Sequence, residues 1–182
     1  NQSVTGFILG NRNLDRSGLV DGTGTLTVTG NFDIYGGTVN ANLASPLAAT
    51  EAMEKISSNT VTLTGDNSGL LSTGDTIVYD GILSLDYTTS NTPKINVTQP
   101  LDMRGARVNL IGNNGAATVQ NVTGLTLASG GSSTIQVTGG TGQDAVLNFG
   151  AITRGNLAQD GTIRLMLPGG TQSATNGFTT TS

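Results

Sequence analysis

The sequence predicts an all-β fold built from short strands, and three observations point there. Threonine (29 residues) and glycine (27) dominate a chain of 182 residues. Charged residues reach only 11%, where a globular domain usually has about a quarter. Short segments alternate an aliphatic residue with Thr, Asn or Gln, the pattern of a half-buried strand, and Gly-containing pairs stand between them. With aromatics at 4% and hydrophobic residues at 35%, the core must consist of thin aliphatic layers. Such a chain folds as a β-solenoid or as a β-sandwich, and strand content alone does not separate the two.

Taken in order, Val4–Gly10 (VTGFILG) is an apolar strand able to add to a sheet edge. Thr25–Thr29 follows with aliphatics on one face. Ser45–Ile56 (SPLAATEAMEKI) reads as one short helix, with Ser45 as N-cap and Pro46 at the first helical position. Continuation of Lys55-Ile56 into the next strand is the alternative. Alternation resumes at Thr60–Thr64, Ile95–Thr98, Val108–Leu110, Leu125–Leu127, Ile135–Thr138 and Ile163–Leu167. The pairs Gly36-Gly37, Asp80-Gly81, Asn114-Gly115, Gly130-Gly131, Gly139-Gly140, Asp160-Gly161 and Asn176-Gly177 predict tight turns with positive φ. A degenerate word recurs at Gly24–Gly30 (GTLTVTG), Asn59–Gly65 (NTVTLTG), Ala117–Gly124 (ATVQNVTG) and Ser132–Gly139 (SSTIQVTG). Short strands with a reused strand-then-glycine unit read as a solenoid or a sandwich, and at roughly 20 to 25 residues per turn a solenoid of this length has about eight coils.

Absences bound the chemistry. Neither Cys nor His occurs, so disulfides, thiolate nucleophiles, Ser-His-Asp triads and imidazole proton shuttles are excluded. A net charge of −4 and eight scattered basic residues exclude a nucleic-acid footprint. No apolar run approaches the ~18 residues of a membrane span. Starting at Asn1 rather than Met, the chain reads as a processed segment or a subunit.

Three stretches, Gly22–Leu43, Met53–Leu85 and Val146–Gly177, resemble autotransporter-associated β-strand repeat proteins, which are large bacterial surface or secreted proteins. The family's unit opens on a Lys-containing lead-in, runs through a Thr-Leu-Thr-Leu strand to Gly, and continues as Thr-Thr-Val and Gly-Thr-Leu strands. Lys55, Val61–Gly65 and Thr76–Leu85 match it. The intervening turn departs, with Asp66–Gly74 in place of a Tyr-containing step. The resemblance implies a right-handed parallel β-helix at the cell surface, associated with the outer membrane, with no catalytic residues and no cofactor. On this basis residues 1–20 form an N-terminal strand or extension, 21–178 the solenoid and 179–182 a polar tail.

Candidate sites are few. Gly139–Leu147 fits a calcium-binding nonapeptide, making Asp144 the metal candidate, but one copy lacks the second carboxylate that a neighbouring coil must supply. A Gly-rich turn is the alternative. Asp66, Asp75, Asp80 and Asp86 cluster in sequence as a cation site or as solvated loop acids. Asp86 with Asp102, near Arg104 and Arg107, is the pair to test for glycan chemistry, while pairing of Arg104 with Asp102 is the plainer expectation. The expected function is a non-catalytic structural or adhesive module outside the cell, with surface glycans or adjoining segments of a precursor as partners. The alternative is a self-assembling filament subunit, with Val4, Phe7, Ile8 and Leu9 as the inter-subunit strand. A glycan-active enzyme stands third.

Overall fold

The computed structural model describes residues 1–11, 17–46, 53–128, 131–155 and 161–180. Among these residues, nineteen strands fall into three sheets. One has four strands: β1 (Gln2–Val4), β4 (Thr25–Val28), β7 (Asn42–Ser45) and β10 (Gly69–Leu70). The longest has eight: β2 (Phe7–Leu9), β5 (Phe32–Ile34), β8 (Met53–Lys55), β11 (Thr76–Val78), β13 (Leu101–Met103), β15 (Thr118–Leu127), β17 (Ala145–Arg154) and β19 (Gly177–Thr180). The third has seven: β3 (Gly18–Val20), β6 (Gly37–Val39), β9 (Thr60–Leu63), β12 (Ile82–Asp86), β14 (Arg107–Ile111), β16 (Ser132–Thr138) and β18 (Thr162–Met166).

Every pairing between these strands is parallel. Parallel neighbours cannot be joined by a hairpin and need a long crossover. Here the other sides of each coil supply it, so the molecule is a β-solenoid. A sandwich, which pairs its strands antiparallel, is excluded. The coil length drifts: Phe32 pairs with Met53, 21 residues on, and Val146 with Gly177, 31 residues on.

The repeated word does not mark one side of the coil. Its four copies lie on β4, β9, β15 and β16, which belong to all three sheets. What recurs is the chemistry of a half-buried strand followed by a corner. β15 shows how a corner is made, because its buried positions run Thr118, Gln120, Val122 and then Leu125, Leu127. A straight strand keeps one parity on one face, so the change of parity around Gly124 marks a bend.

Register stacks the inward side chains in columns. Val39, Leu63, Leu85, Leu110 and Val137 follow one another along the seven-stranded sheet, and all are buried. Each contributes about 25 cal/mol per Å² of apolar area removed from water. Thr38, Thr62, Asn109 and Gln136 alternate with them on the outer face. Aromatic pairs sit at the two ends of the stack, Phe7 with Phe32 at 6.2 Å and Phe149 with Phe178 at 6.0 Å between ring centroids. Beyond Phe149 the final strands leave their columns uncovered. Ile152 continues the column of the fully buried Leu125 yet is 46% exposed, and Leu165, next to the buried Ile135, is 39% exposed.

Three expectations need correction. Ser45 ends β7 and Met53–Lys55 forms β8, so neither end of the predicted helix is helical, and residues 47–52 lie outside the described residues. Alternating burial of Met53 and Lys55 in a parallel sheet overrides the local helix propensity. Ile95–Thr98 is no strand. Asn96 accepts from the Thr98 N–H at 2.9 Å and its hydroxyl at 2.8 Å, closing a side-chain turn between Pro93 and Pro100. The third correction concerns glycine. Positive φ is found at Gly37 (121°), Gly81 (66°) and Gly177 (103°), as expected, but not at Gly115, Gly131, Gly140 or Gly161. At Gly140 the requirement is space, since a Cβ would lie 1.8 Å from the Asn113 carbonyl oxygen of the adjacent coil.

No helix among the described residues is long and apolar enough to cross a membrane.

Candidate functional site

The most unusual chemistry lies inside the coils. Lys55 stands in the inward column between Ile34 and Val78, and both it and Lys94 are fully buried. Lys55 Nζ donates to the carbonyl oxygens of Ser57 and, at 3.0 Å, Asp80. Lys94 Nζ donates to Thr64 O at 2.8 Å and Gly65 O at 3.1 Å, and lies 4.9 Å from the centre of the Tyr87 ring. Long stems thus fill the core while the ammonium groups reach turn carbonyls at the corners. Burial pulls both ammonium groups down to about 8, opposed by Asp80 for Lys55 and by Asp66 and Asp86 for Lys94. Burial likewise pushes the Tyr87 phenol upward.

Beside Lys94 a spine of side-chain amides ties coil to coil where the four-stranded sheet ends. The Leu43 N–H donates to Asn67 Oδ1 at 2.8 Å, and Asn67 Nδ2 donates to Lys94 O at 2.8 Å. The Lys94 N–H donates to Gln120 Oε1 at 3.0 Å, which also accepts from the Tyr87 hydroxyl. Gln120 Nε2 donates to Asn121 O at 2.7 Å. Sequence reasoning missed this assembly. Its only signal was Lys55 in the lead-in that the family resemblance matched; Asn67 and Gln120 look like any surface amide.

The predicted acidic cluster is dispersed. Asp66 and Asp86 face Lys94, Asp80 faces Lys55, and Asp75 lies near Asp102. Burial first and the Asp102 charge second raise the Asp75 pKa, against Arg104. Asp86 is on the seven-stranded sheet and Asp102 on the eight-stranded one, so the tested pair does not form. Asp102 Oδ2 instead accepts from Arg104 Nη2 at 2.7 Å and Nε at 3.1 Å, and the guanidinium lies 4.6 Å from the Tyr79 ring centre. Arg107 turns elsewhere, donating to Asn109 Oδ1 at 2.7 Å and to Gln136. Asp144 Oδ2 accepts from the Thr175 hydroxyl at 2.5 Å, beside an open cleft of about 510 Å³ lined by Gly140, Gly142 and Asn176. No group of three or more metal-ligating side chains is found among the described residues.

Val4, Phe7 and Leu9 pack against the core, whereas Ile8 points outward and is 69% exposed. Among the described residues β2 is the last strand of the eight-stranded sheet, paired with β5.

One surface feature spans several coils. A groove of about 480 Å³ runs along the corner that follows the seven-stranded sheet, lined by Asp21, Asn40, Thr64, Asp86, Thr88 and Thr89. Its side chains bond from rung to rung: Asn40 Nδ2 donates to Asp21 Oδ1 at 3.2 Å, and the Thr64 hydroxyl donates to Asn40 Oδ1 at 2.7 Å. Asp86 Oδ1 accepts from the Thr88 N–H at 2.9 Å and its hydroxyl at 2.7 Å.

No family model matches the chain, and no solved structure matches it. Over 85 residues, 45% of this chain, it is 35% identical to the curated protein Adhesin BmaC autotransporter of Brucella suis biovar 1 (strain 1330). That stretch is 2% of the adhesin's own length.

Proposed function

We propose that the chain is a rigid, non-catalytic adhesive module displayed outside a bacterial cell, stiffened by backbone pairing from coil to coil. The observation that carries this reading is the outer face of the solenoid. Thr, Asn and Gln side chains alternate with the buried columns, so an extended surface of hydroxyl and amide groups stands on a frame of parallel strands paired from coil to coil. The test is antibody labelling of intact source bacteria together with adhesion of beads coated with the purified chain to host cells. Labelling without permeabilisation and bead retention above an albumin control are expected. Labelling only after permeabilisation overturns the reading.

A second reading, self-association, is favoured by Ile8, which points outward at 69% exposure on β2, a strand paired only with β5 among the described residues. A strand edge of that kind can accept a strand from another copy. Sedimentation velocity of the native chain and of Ile8→Lys distinguishes the two. Concentration-dependent growth that the substitution removes supports assembly, and a monomer throughout removes it.

A further inference from the structure

We infer that the corner groove from Asp21 to Thr89 is a saccharide-binding site, taking a neutral or amino-sugar chain laid along the solenoid axis. This rests on the adhesive reading and names its ligand class. The groove belongs to the side wall, unlike the cleft beside Asp144, which lies where the last coils leave their columns uncovered. Asp21, Asn40, Thr64 and Asp86 occupy the same corner of four successive coils. At ~4.8 Å per coil, the two carboxylates stand about 14 Å apart, the span of a short oligosaccharide.

The groups are oriented before any ligand arrives. Asp21 Oδ1 is held by the Gly22 N–H at 2.9 Å and by Asn40, and Asp86 Oδ1 by Thr88. Oδ2 of each makes no hydrogen bond among the described residues. Carboxylate oxygens so fixed accept charge-assisted hydrogen bonds from sugar hydroxyls, Thr23 and Thr89 add hydroxyls that donate or accept, and the Thr88 hydroxyl, whose proton is held by Asp86, accepts. Charge selects the class of sugar. The groove carries Asp21 and Asp86, and Lys94 is buried beneath with its ammonium committed to Thr64 and Gly65. Sialylated, sulfated and uronic chains are therefore repelled. Among the described residues no aromatic ring lines the groove, so single-site affinity is low and avidity supplies the rest.

The experiment is titration of the purified chain with glucosamine trimers, neutral glucose trimers and heparin fragments, followed by NMR. Variants are Asp21→Asn, Thr89→Leu and, as a control at the other cleft, Asp144→Asn. The neutral and amino trimers should bind native chain and control alike, Asp21→Asn should weaken the amino trimer about tenfold, and Thr89→Leu, which fills the groove and offers neither a hydroxyl nor a ring to a sugar, should block both. Thr89 is exposed, and a circular dichroism spectrum like the native one shows that this variant folds. Preference for heparin, binding indifferent to both groove variants, or no binding of any trimer overturns the site. Bead adhesion that survives both variants sinks the groove and leaves adhesion standing; trimer binding without surface labelling does the reverse.

Discussion

The buried lysines make stability depend on pH in a direction opposite to that of most proteins in alkali. Lys55 and Lys94 fall from 10.5 to about 8 in the folded chain. Below pH about 8 both folded and unfolded chains hold these protons, so the cost of burying the charge is fully present. Between about 8 and 10.5 the unfolded chain binds more protons than the folded one, and stability rises with pH. At 1.36 kcal/mol per pKa unit, each lysine adds up to about 3 kcal/mol across that window. The ceiling is lowered by the carbonyl oxygens of Ser57, Asp80, Thr64 and Gly65, which favour the charged form. Tyr87 sets the upper limit: its raised pKa means that above about 10 the unfolded phenol ionises and the folded one does not, so stability then falls. Urea denaturation at constant ionic strength, followed by circular dichroism, should show midpoints climbing from pH about 7.5 to a maximum near 10. Lys55→Met should remove about half the climb. A flat or falling midpoint over that range, or a full climb retained in Lys55→Met together with Lys94→Met, would refute the reasoning.

Asn67→Ala leaves the buried Leu43 N–H and Lys94 C=O without partners and should cost about 2–4 kcal/mol in urea denaturation; a loss under about 1 kcal/mol would mean that the amide spine is dispensable. Gly37→Ala forces an alanine to φ 121° with its Cβ 1.9 Å from Gly18 O. It should cost more than about 2 kcal/mol, and an unchanged melting temperature would contradict the close packing of β3 on β6. Chelation of divalent cations should leave the melting temperature within about 2 °C, because Asp144 is engaged by Thr175. A larger fall, in a protein where ~1 kcal/mol moves Tm by about 2–4 °C, would reveal a bound ion.

The strands that were legible are those whose inward columns demand aliphatics at alternate positions over four or more residues, whereas three-residue strands such as Phe32–Ile34 and Leu101–Met103 are too short to show the pattern. Thr25–Val28, Thr60–Leu63 and Arg107–Ile111 announce themselves that way. Two segments misled for local reasons. Ala-rich Ser45–Ile56 carries helix propensity, which the register of Met53 and Lys55 between neighbouring coils overrules, and Ile95–Thr98 alternates like a strand although Asn96 folds it into a turn. Which side of the coil each strand joins was not legible, because strands on all three sheets share one chemistry and only the pairing between coils distinguishes them. The interior site was hidden for a related reason. A lysine, an asparagine and a glutamine are polar in any window of sequence, and only a neighbouring coil's carbonyl at 3 Å makes their burial tolerable.

Because each coil is fastened to the next by bonds aligned with the long axis, tension between the two ends opens them one row after another instead of loading all rows together. Freeing a coil of about 25 residues releases roughly 80 Å of slack. Such a tether would yield in steps under flow, spending work while its remaining rungs stay folded.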